Sequence, residues 1–182
     1  MPGTLFFVVG ASGVGKDTLI KGAEAALAGD GHFVFARRSI TRPPDQGDEG
    51  HEHLSPQEFE RLRARGGFLI HWAAHGLLYG IRANYRDQLM DGKNVVVNGS
   101  RAAIPDLLRL VPGAVIVQVT ASPETIAKRL ASRGREDQSE IRARIERGSL
   151  SIPPEAKAVT VSNDSDPATG IASFTSILRQ HA

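Results

Sequence analysis

The segment Gly10-Ala11-Ser12-Gly13-Val14-Gly15-Lys16 constrains this chain more than any other. It follows a short apolar run, Leu5-Phe6-Phe7-Val8-Val9, and precedes a stretch with apolar residues at the helical spacing of Leu19, Ile20 and Ala23. A buried strand, a glycine-rich turn and a helix in that order make a cradle for phosphate. The glycines let backbone N–H groups close around the anion, and the helix N-terminus adds partial positive charge. Lys16 then reaches the β- and γ-phosphates of a nucleotide. One position departs from the common G-x-x-x-x-G-K-[ST] pattern: the residue after the lysine is Asp17, with Thr18 next. A carboxylate there suits Mg²⁺ directly or through water, and Thr18 offers a hydroxyl if the loop register is altered.

Apolar runs at 32–36, 93–97, 114–120 and 158–161 alternate with helical patterns at 15–27, 104–110, 122–132 and 167–178. Alternation of this kind predicts an α/β fold of the P-loop NTPase type, a parallel sheet flanked by helices and joined by right-handed crossovers. Ser55-Pro56-Gln57-Glu58 has the form of a capping box with proline at the first helical position, and opens a helix to about Arg65. A further helix is expected over 82–90, and another over 139–147. Thr41 to Gly50 holds two prolines and two glycines and reads as an exposed loop. One domain over residues 1–182 is expected, with a small acceptor-binding lobe at about 37–82 and a lid at about 129–148.

Composition narrows the partners. The chain has no cysteine, which excludes disulfides and cysteine-ligated metals. The net charge of +2 gives little reason to expect nucleic acid. No apolar run approaches the roughly 20 residues that a membrane span needs, and Met1 to Thr4 has no basic start, so a soluble cytoplasmic protein is expected. Of the 22 basic residues 17 are arginine, whose planar fork suits phosphate oxygens; a coding bias toward arginine would give the same count.

A phosphate loop serves kinases, GTPases and motor ATPases alike. No N-K-x-D guanine motif occurs, and the strand Val95-Val96-Val97 ends in Asn98 rather than in the Asp or Asp-Glu of a large ATPase. What remains is a small kinase moving the γ-phosphoryl group of ATP. Arg129 to Arg135, with Arg142 and Arg144, is a glycine-hinged, arginine-dense segment suited to closing over a transferring phosphoryl group. Arg133 and Arg144 are the expected catalytic partners of Lys16. The same arginines would also serve as a solvated face paired with Glu136, Asp137, Glu140 and Glu146. Four histidines, His51, His53, His71 and His75, lack the tight spacing of a metal site.

The loop, Ser39-Ile40-Thr41-Arg42-Pro43, Trp72 with Tyr79-Gly80, and Arg129 to Gly134 resemble the guanylate kinase family over nearly the whole chain. Gly15-Lys16-Asp17-Thr18, Ile40-Thr41-Arg42, Asn98-Gly99-Ser100-Arg101 and Arg133-Gly134-Arg135-Glu136 are more similar to the ribose 1,5-bisphosphate phosphokinases of phosphonate breakdown. The resemblance implies that Arg42 grips the acceptor phosphate. A second family arginine is replaced by Asp45, the phosphate-binding tyrosine is replaced near His51, and His71 stands where a glutamate reads guanine. A buried carboxylate is the natural partner of guanine N–H groups, so its loss dismantles guanine recognition.

The acceptor implied is ribose 1,5-bisphosphate, with Arg42, Tyr79, Asn98, Ser100 and Arg101 as its site. The phosphate donor is ATP with Mg²⁺, the latter placed at Asp17 and Thr18. Ser162-Asn163-Asp164-Ser165 is expected at the adenine. The alternatives left open are a guanylate kinase, another small-metabolite kinase and a non-catalytic scaffold of the same fold. The structural alternatives are that Tyr79 packs the small lobe and that Ser100-Arg101 starts a helix.

Overall fold

The computed structural model describes residues 2–43, 50–132 and 152–182. Its centre is β1 (Leu5–Val9), whose five residues are at most 1% exposed. An unbroken apolar run buries both faces of a strand, as parallel sheets require. β1 pairs in parallel with β7 (Asn94–Asn98) on one side and β8 (Val115–Thr120) on the other. β2 (Phe33–Phe35) and β9 (Lys157–Ser162) add the edges, giving the order β2-β7-β1-β8-β9 with every pair parallel.

The two faces of β1 are covered by different elements. Phe6 and Val8 pack with Leu19 and Ala23 of α1 (Lys16–Ala26) and with Phe174 and Leu178 of α6 (Pro167–Gln180). Leu5, Phe7 and Val9 instead meet Ile104 and Leu107 of α4 (Ile104–Leu110) and the inner side of a second sheet. That sheet is built from β3 (Arg38–Ile40), β4 (Glu52–His53), β5 (Phe68–Ala74) and β6 (Leu77–Arg82), in the order β4-β3-β6-β5.

β5 and β6 form a hairpin whose turn, His75-Gly76, has positive φ at both residues, 52° and 73°. Two left-handed residues match the twist of the flanking strands. Glu52 then clips the sheet together: it accepts from Ser39 Oγ at 2.5 Å and from Arg82 Nε and Nη2 at 2.8 and 2.5 Å. The paired guanidinium holds the Glu52 carboxyl below its usual range, with the Ser39 hydroxyl assisting. α2 (Pro56–Ala64) carries both halves of the capping box, Ser55 accepting from the Glu58 N–H and Glu58 from the Ser55 N–H.

Two boundaries differ from the sequence reading. The segment 66–80 is one long hairpin rather than short strands and turns, and β6 runs on through Arg82, so α3 spans only Tyr85–Met90. The reason is tertiary: Arg82 sits opposite Phe68 in the hairpin and is bound to Glu52, which holds it in strand geometry. The helix expected over 139–147 and most of the loop at 41–50, Asp45 included, lie outside the described residues.

Trp72 joins the two sheets, edge-on to Phe7 at 6.0 Å and stacked on Tyr79 at 5.7 Å. Trp72→Ala is expected to cost about 3–5 kcal/mol of unfolding free energy, read from the midpoint shift in urea, because the cavity opens between two rigid sheets.

Candidate active site

The carboxyl ends of β1, β7, β8 and β9 meet at one edge of the main sheet, where open α/β folds bind ligands. From β1 the chain enters the loop Gly10 to Gly15. Gly13 and Gly15 have φ of 82° and 95°, which let the loop turn back on itself before α1 begins. Gly15 at the N-cap of α1 offers no side chain, so no side-chain cap covers the start of the helix. Lys16 folds over this loop and donates from Nζ to the carbonyls of Gly10 and Ala11 at 2.9 and 3.1 Å. Burial pushes the Lys16 ammonium down to about 8; Asp17 opposes the shift, and the charges of Arg38 and Arg101 add to it.

The outer side of the loop is held by one carbonyl. Val14 O accepts from Asn163 Nδ2 at 2.8 Å and from Arg129 Nη1 at 3.2 Å. Arg129 reaches it from α5 (Pro123–Ser132), and Asn163 from the turn after β9. Asn163 is 3% exposed and wedged between two glycines. A Cβ at Gly15 would stand 2.4 Å from its Nδ2, and one at Gly170 would stand 2.5 Å from its Oδ1. The next residue, Asp164, accepts from the Ser122 N–H at 2.7 Å, which ties the turn after β9 to the turn after β8. That hydrogen bond heads the causes that hold the Asp164 carboxyl at about 2.

Beside the loop lies a cavity of about 530 Å³ between α1 and the small sheet. Asp17, Lys21 and Glu24 line it from α1, Arg37 and Arg38 from the end of β2 and the start of β3, and Asn98 from the end of β7. Asn98 Nδ2 donates to Asp17 Oδ1 at 2.5 Å, and its buried Oδ1 has no hydrogen-bond partner among the described residues. Arg38 lies over the ring of Tyr79 at 5.7 Å and donates from Nη2 to His51 Nε2 at 3.2 Å. A guanidinium only donates, so His51 carries its proton on Nδ1 in this arrangement.

The expected site residues fall into three groups. Lys16, Asp17, Asn98, Ser100 and Arg101 come together at the ends of β1 and β7; Arg101 opens a short 3-10 turn and lies close enough to Lys16 to lower its pKa. Tyr79 is buried and supports Arg38 from below, while Arg42 follows β3 and receives a hydrogen bond on its backbone carbonyl from His53. His71 is exposed on β5 against Phe59 and Phe68, away from the cavity. Arg133 and Arg144 lie outside the described residues.

Asp17 is exposed at the start of α1, and Thr18 is exposed beside it. Among the described residues no group of three or more histidine or acidic side chains gathers to hold a metal ion. A single carboxylate next to a phosphate cradle fits Mg²⁺, which takes one or two protein carboxylates with its remaining ligands from phosphate and water. Arg38 and the loop-bracing roles of Asn163 and Arg129 were not singled out from the sequence. The one available signal was the Arg37-Arg38 pair at the mouth of a strand.

Together, the parallel sheet, the glycine loop with its lysine and the flanking cationic cavity define a P-loop fold with a built phosphate cradle. No protein-family model matches the chain. Guanylate kinase from Anaplasma phagocytophilum superposes with a TM-score of 0.67 at 16% identity, covering 98% of this chain and 86% of that one. The ribose 1,5-bisphosphate phosphokinase PhnN of Thiobacillus denitrificans is 43% identical over 164 residues, 90% of this chain and 86% of the relative. The chain belongs to the ribose 1,5-bisphosphate phosphokinase family. It is also 51% identical over 176 residues to the bifunctional ribose 1,5-bisphosphokinase-thymidine phosphorylase of Azorhizobium caulinodans, covering 97% of this chain. The chain spans between a quarter and a third of the length of the bifunctional relatives it matches.

Three outcomes follow from the loop geometry. Only protonated Lys16 attracts phosphate, and its folded pKa is about 8, so ATP affinity measured by calorimetry should fall as pH rises through 8. The free protein should behave in the opposite sense. Its unfolded lysine binds the proton more tightly than the folded one, so this group makes unfolding stability rise between pH 8 and 10.5. Asn163→Ala should raise KM for ATP about tenfold or more with a smaller change in kcat, because Val14 loses a buried donor.

Proposed function

We propose that this chain transfers the γ-phosphoryl group of ATP to the 1-phosphate of ribose 1,5-bisphosphate, giving ADP and 5-phospho-α-D-ribose 1-diphosphate (PRPP). The observation that carries the reading is a complete phosphate loop, with Lys16 folded over it, opening onto a cavity lined by Lys21, Arg37 and Arg38. The names of the monofunctional relatives, aligned over most of both chains, support the same acceptor.

An oxygen of the 1-phosphate attacks the γ-phosphorus, and the bond from that phosphorus to the β–γ bridging oxygen breaks as ADP leaves. The nucleophile is already ionised at neutral pH, so the chain supplies placement and charge rather than a general base. Lys16 moves from the Gly10 and Ala11 carbonyls to the phosphates. Asn98 lines the cavity and orients Asp17 through their hydrogen bond. When bound with the nucleotide at Asp17 and Thr18, Mg²⁺ would neutralise charge on the transferring phosphoryl group.

Arg42, Ser100 and Arg101 complete the acceptor site in this reading, and Tyr79 acts through Arg38. Gly10, Ala11, Ser12, Gly13, Val14 and Gly15 wrap the phosphates, and Arg133 and Arg144 bring transition-state charge from a lid at about 129–148. The whole chain then works as one kinase domain, with its acceptor lobe at about 37–82. Its substrates are small cytoplasmic metabolites, and no helix among the described residues is long and apolar enough to cross a membrane.

A coupled ADP-release assay with Mg-ATP tests the acceptor. Turnover with ribose 1,5-bisphosphate and none with GMP is expected; turnover with GMP alone would move the chain to guanylate kinase chemistry. Lys16→Ala should lose nearly all turnover while the fold survives, seen as one cooperative melting transition. Appreciable activity in that folded variant would overturn phosphoryl transfer at this loop.

A further inference from the structure

Gly170 is buried in α6, the last helix, where alanine would be the better helix former. No positive φ explains the glycine. Contact does: a Cβ there would stand 2.5 Å from Asn163 Oδ1. We propose that Gly170 is a positioning residue for ATP: the bare face it gives α6 seats the Asn163 amide, and that amide holds the phosphate loop through Val14. The inference rests on the nucleotide reading of the loop and adds to it a position on the last helix that sets ATP affinity through Asn163.

Neither side of this contact has room to retreat. The Asn163 backbone is pinned at its own N–H, which donates to the Thr120 carbonyl at 2.8 Å. The first turn of α6 is fixed by its cap: Asp166 accepts from the Thr169 N–H at 3.0 Å and from the Thr169 hydroxyl at 2.6 Å. The Gly170 N–H in turn donates to the Asp166 carbonyl at 3.1 Å. On its other side the amide meets Gly15, so closely that a Cβ there would stand 2.4 Å from Nδ2. A methyl at 170 therefore displaces the amide, and the bond that breaks is the one from Nδ2 to the Val14 carbonyl.

The other end of the amide points the same way. Asn163 Oδ1 is buried without a hydrogen-bond partner among the described residues, an arrangement that folded proteins seldom keep. An apolar side chain in this slot would avoid the orphan oxygen but would leave Val14 without the donor. Leu19 stands beside the same spot: a Cβ at 170 would lie 3.1 Å from its Cδ2, and the Leu19 N–H donates to the Gly15 carbonyl at 3.1 Å. The start of α1 and the Val14 carbonyl are thus both braced from one position of α6.

The test is a double-variant cycle, with Mg-ATP titrated by calorimetry and thermal melting followed alongside. Gly170→Ala is expected to weaken ATP about tenfold, the size of one buried hydrogen bond, and to raise KM for ATP more than it lowers kcat. In the Asn163→Ala background the same substitution should leave ATP affinity unchanged, because the amide it would displace is gone. There it should raise the melting temperature by about 2–4 °C, since alanine replaces glycine in a helix and its methyl enters vacated space. A merely structural role would move melting and affinity together. An equal loss of affinity in both backgrounds overturns the inference, as does wild-type affinity in Gly170→Ala. If Gly170→Ala does not fold, Asn163→Ala against the double variant decides alone: equal ATP affinity supports the contact, and a further tenfold loss overturns it. A wild type that binds no ATP would overturn the nucleotide reading, and the inference with it.

Discussion

The ring of Phe7 is the contact on which both halves of the site depend. It projects from the central strand toward the small sheet and fills the space over the end of β7. A Cβ at Gly99 would lie 2.3 Å from its ring. Trp72 meets Phe7 edge-on, Tyr79 stacks on Trp72, and Arg38 lies over Tyr79. Two residues beyond Phe7, the same strand ends and the phosphate loop begins. The cavity beside α1 and the phosphate loop are therefore positioned from one buried side chain, and aromatic contacts of this kind contribute beyond the area they bury. Phosphoryl transfer depends on placement, and a misplacement of about 1 Å can cost about 100-fold in rate.

The same arrangement has an electrostatic cost in the free protein. Lys16 is desolvated, and Arg38 and Arg101 stand near enough to press its proton off. Gathering cations around an anion site before the anion arrives is unfavourable to the fold and favourable to binding, which is the usual trade at a functional site. The carbonyls of Gly10 and Ala11 soften it by accepting from Nζ. Asp17 does so as well, since its negative charge is the largest influence favouring the charged lysine. The unusual residue after the lysine thus stabilises Lys16 and is itself oriented by Asn98.

What could be read from the sequence was whatever is written in local chemistry. The apolar run 5–9, the glycines of the loop, the capping box at Ser55 and the helix over 104–110 each follow from neighbouring residues, and each stands where the pattern puts it. The small lobe was less legible because its strands are set by distant partners. Arg82 continues β6 through its pairing with Phe68 and its hydrogen bonds to Glu52, and nothing in the run 80–85 announces either. Within the site, Lys16 was visible from the glycine loop that leads to it and Asn98 as the end of a buried strand. Arg38 was not, because the Tyr79 ring that orients it is remote in sequence and adjacent only once β3 and β6 pair.

Asn163 carries the same lesson to the nucleotide side. From the sequence it was one residue of a polar turn, suited to a base. In the fold it is a buried amide between Gly15 and Gly170, and its Nδ2 donates to the Val14 carbonyl. That carbonyl also accepts from Arg129, three residues before α5 reaches Ser132. One backbone oxygen therefore joins the phosphate loop, the turn after the last strand and the helix that leads toward the arginine-rich segment. A phosphate loop must offer its N–H groups inward, so its carbonyls must turn outward and find donors elsewhere. Where those donors come from decides which parts of the protein feel the nucleotide. Here they come from the expected base-binding turn and from the helix at the root of the expected lid, which gives both a direct mechanical stake in the conformation of the loop.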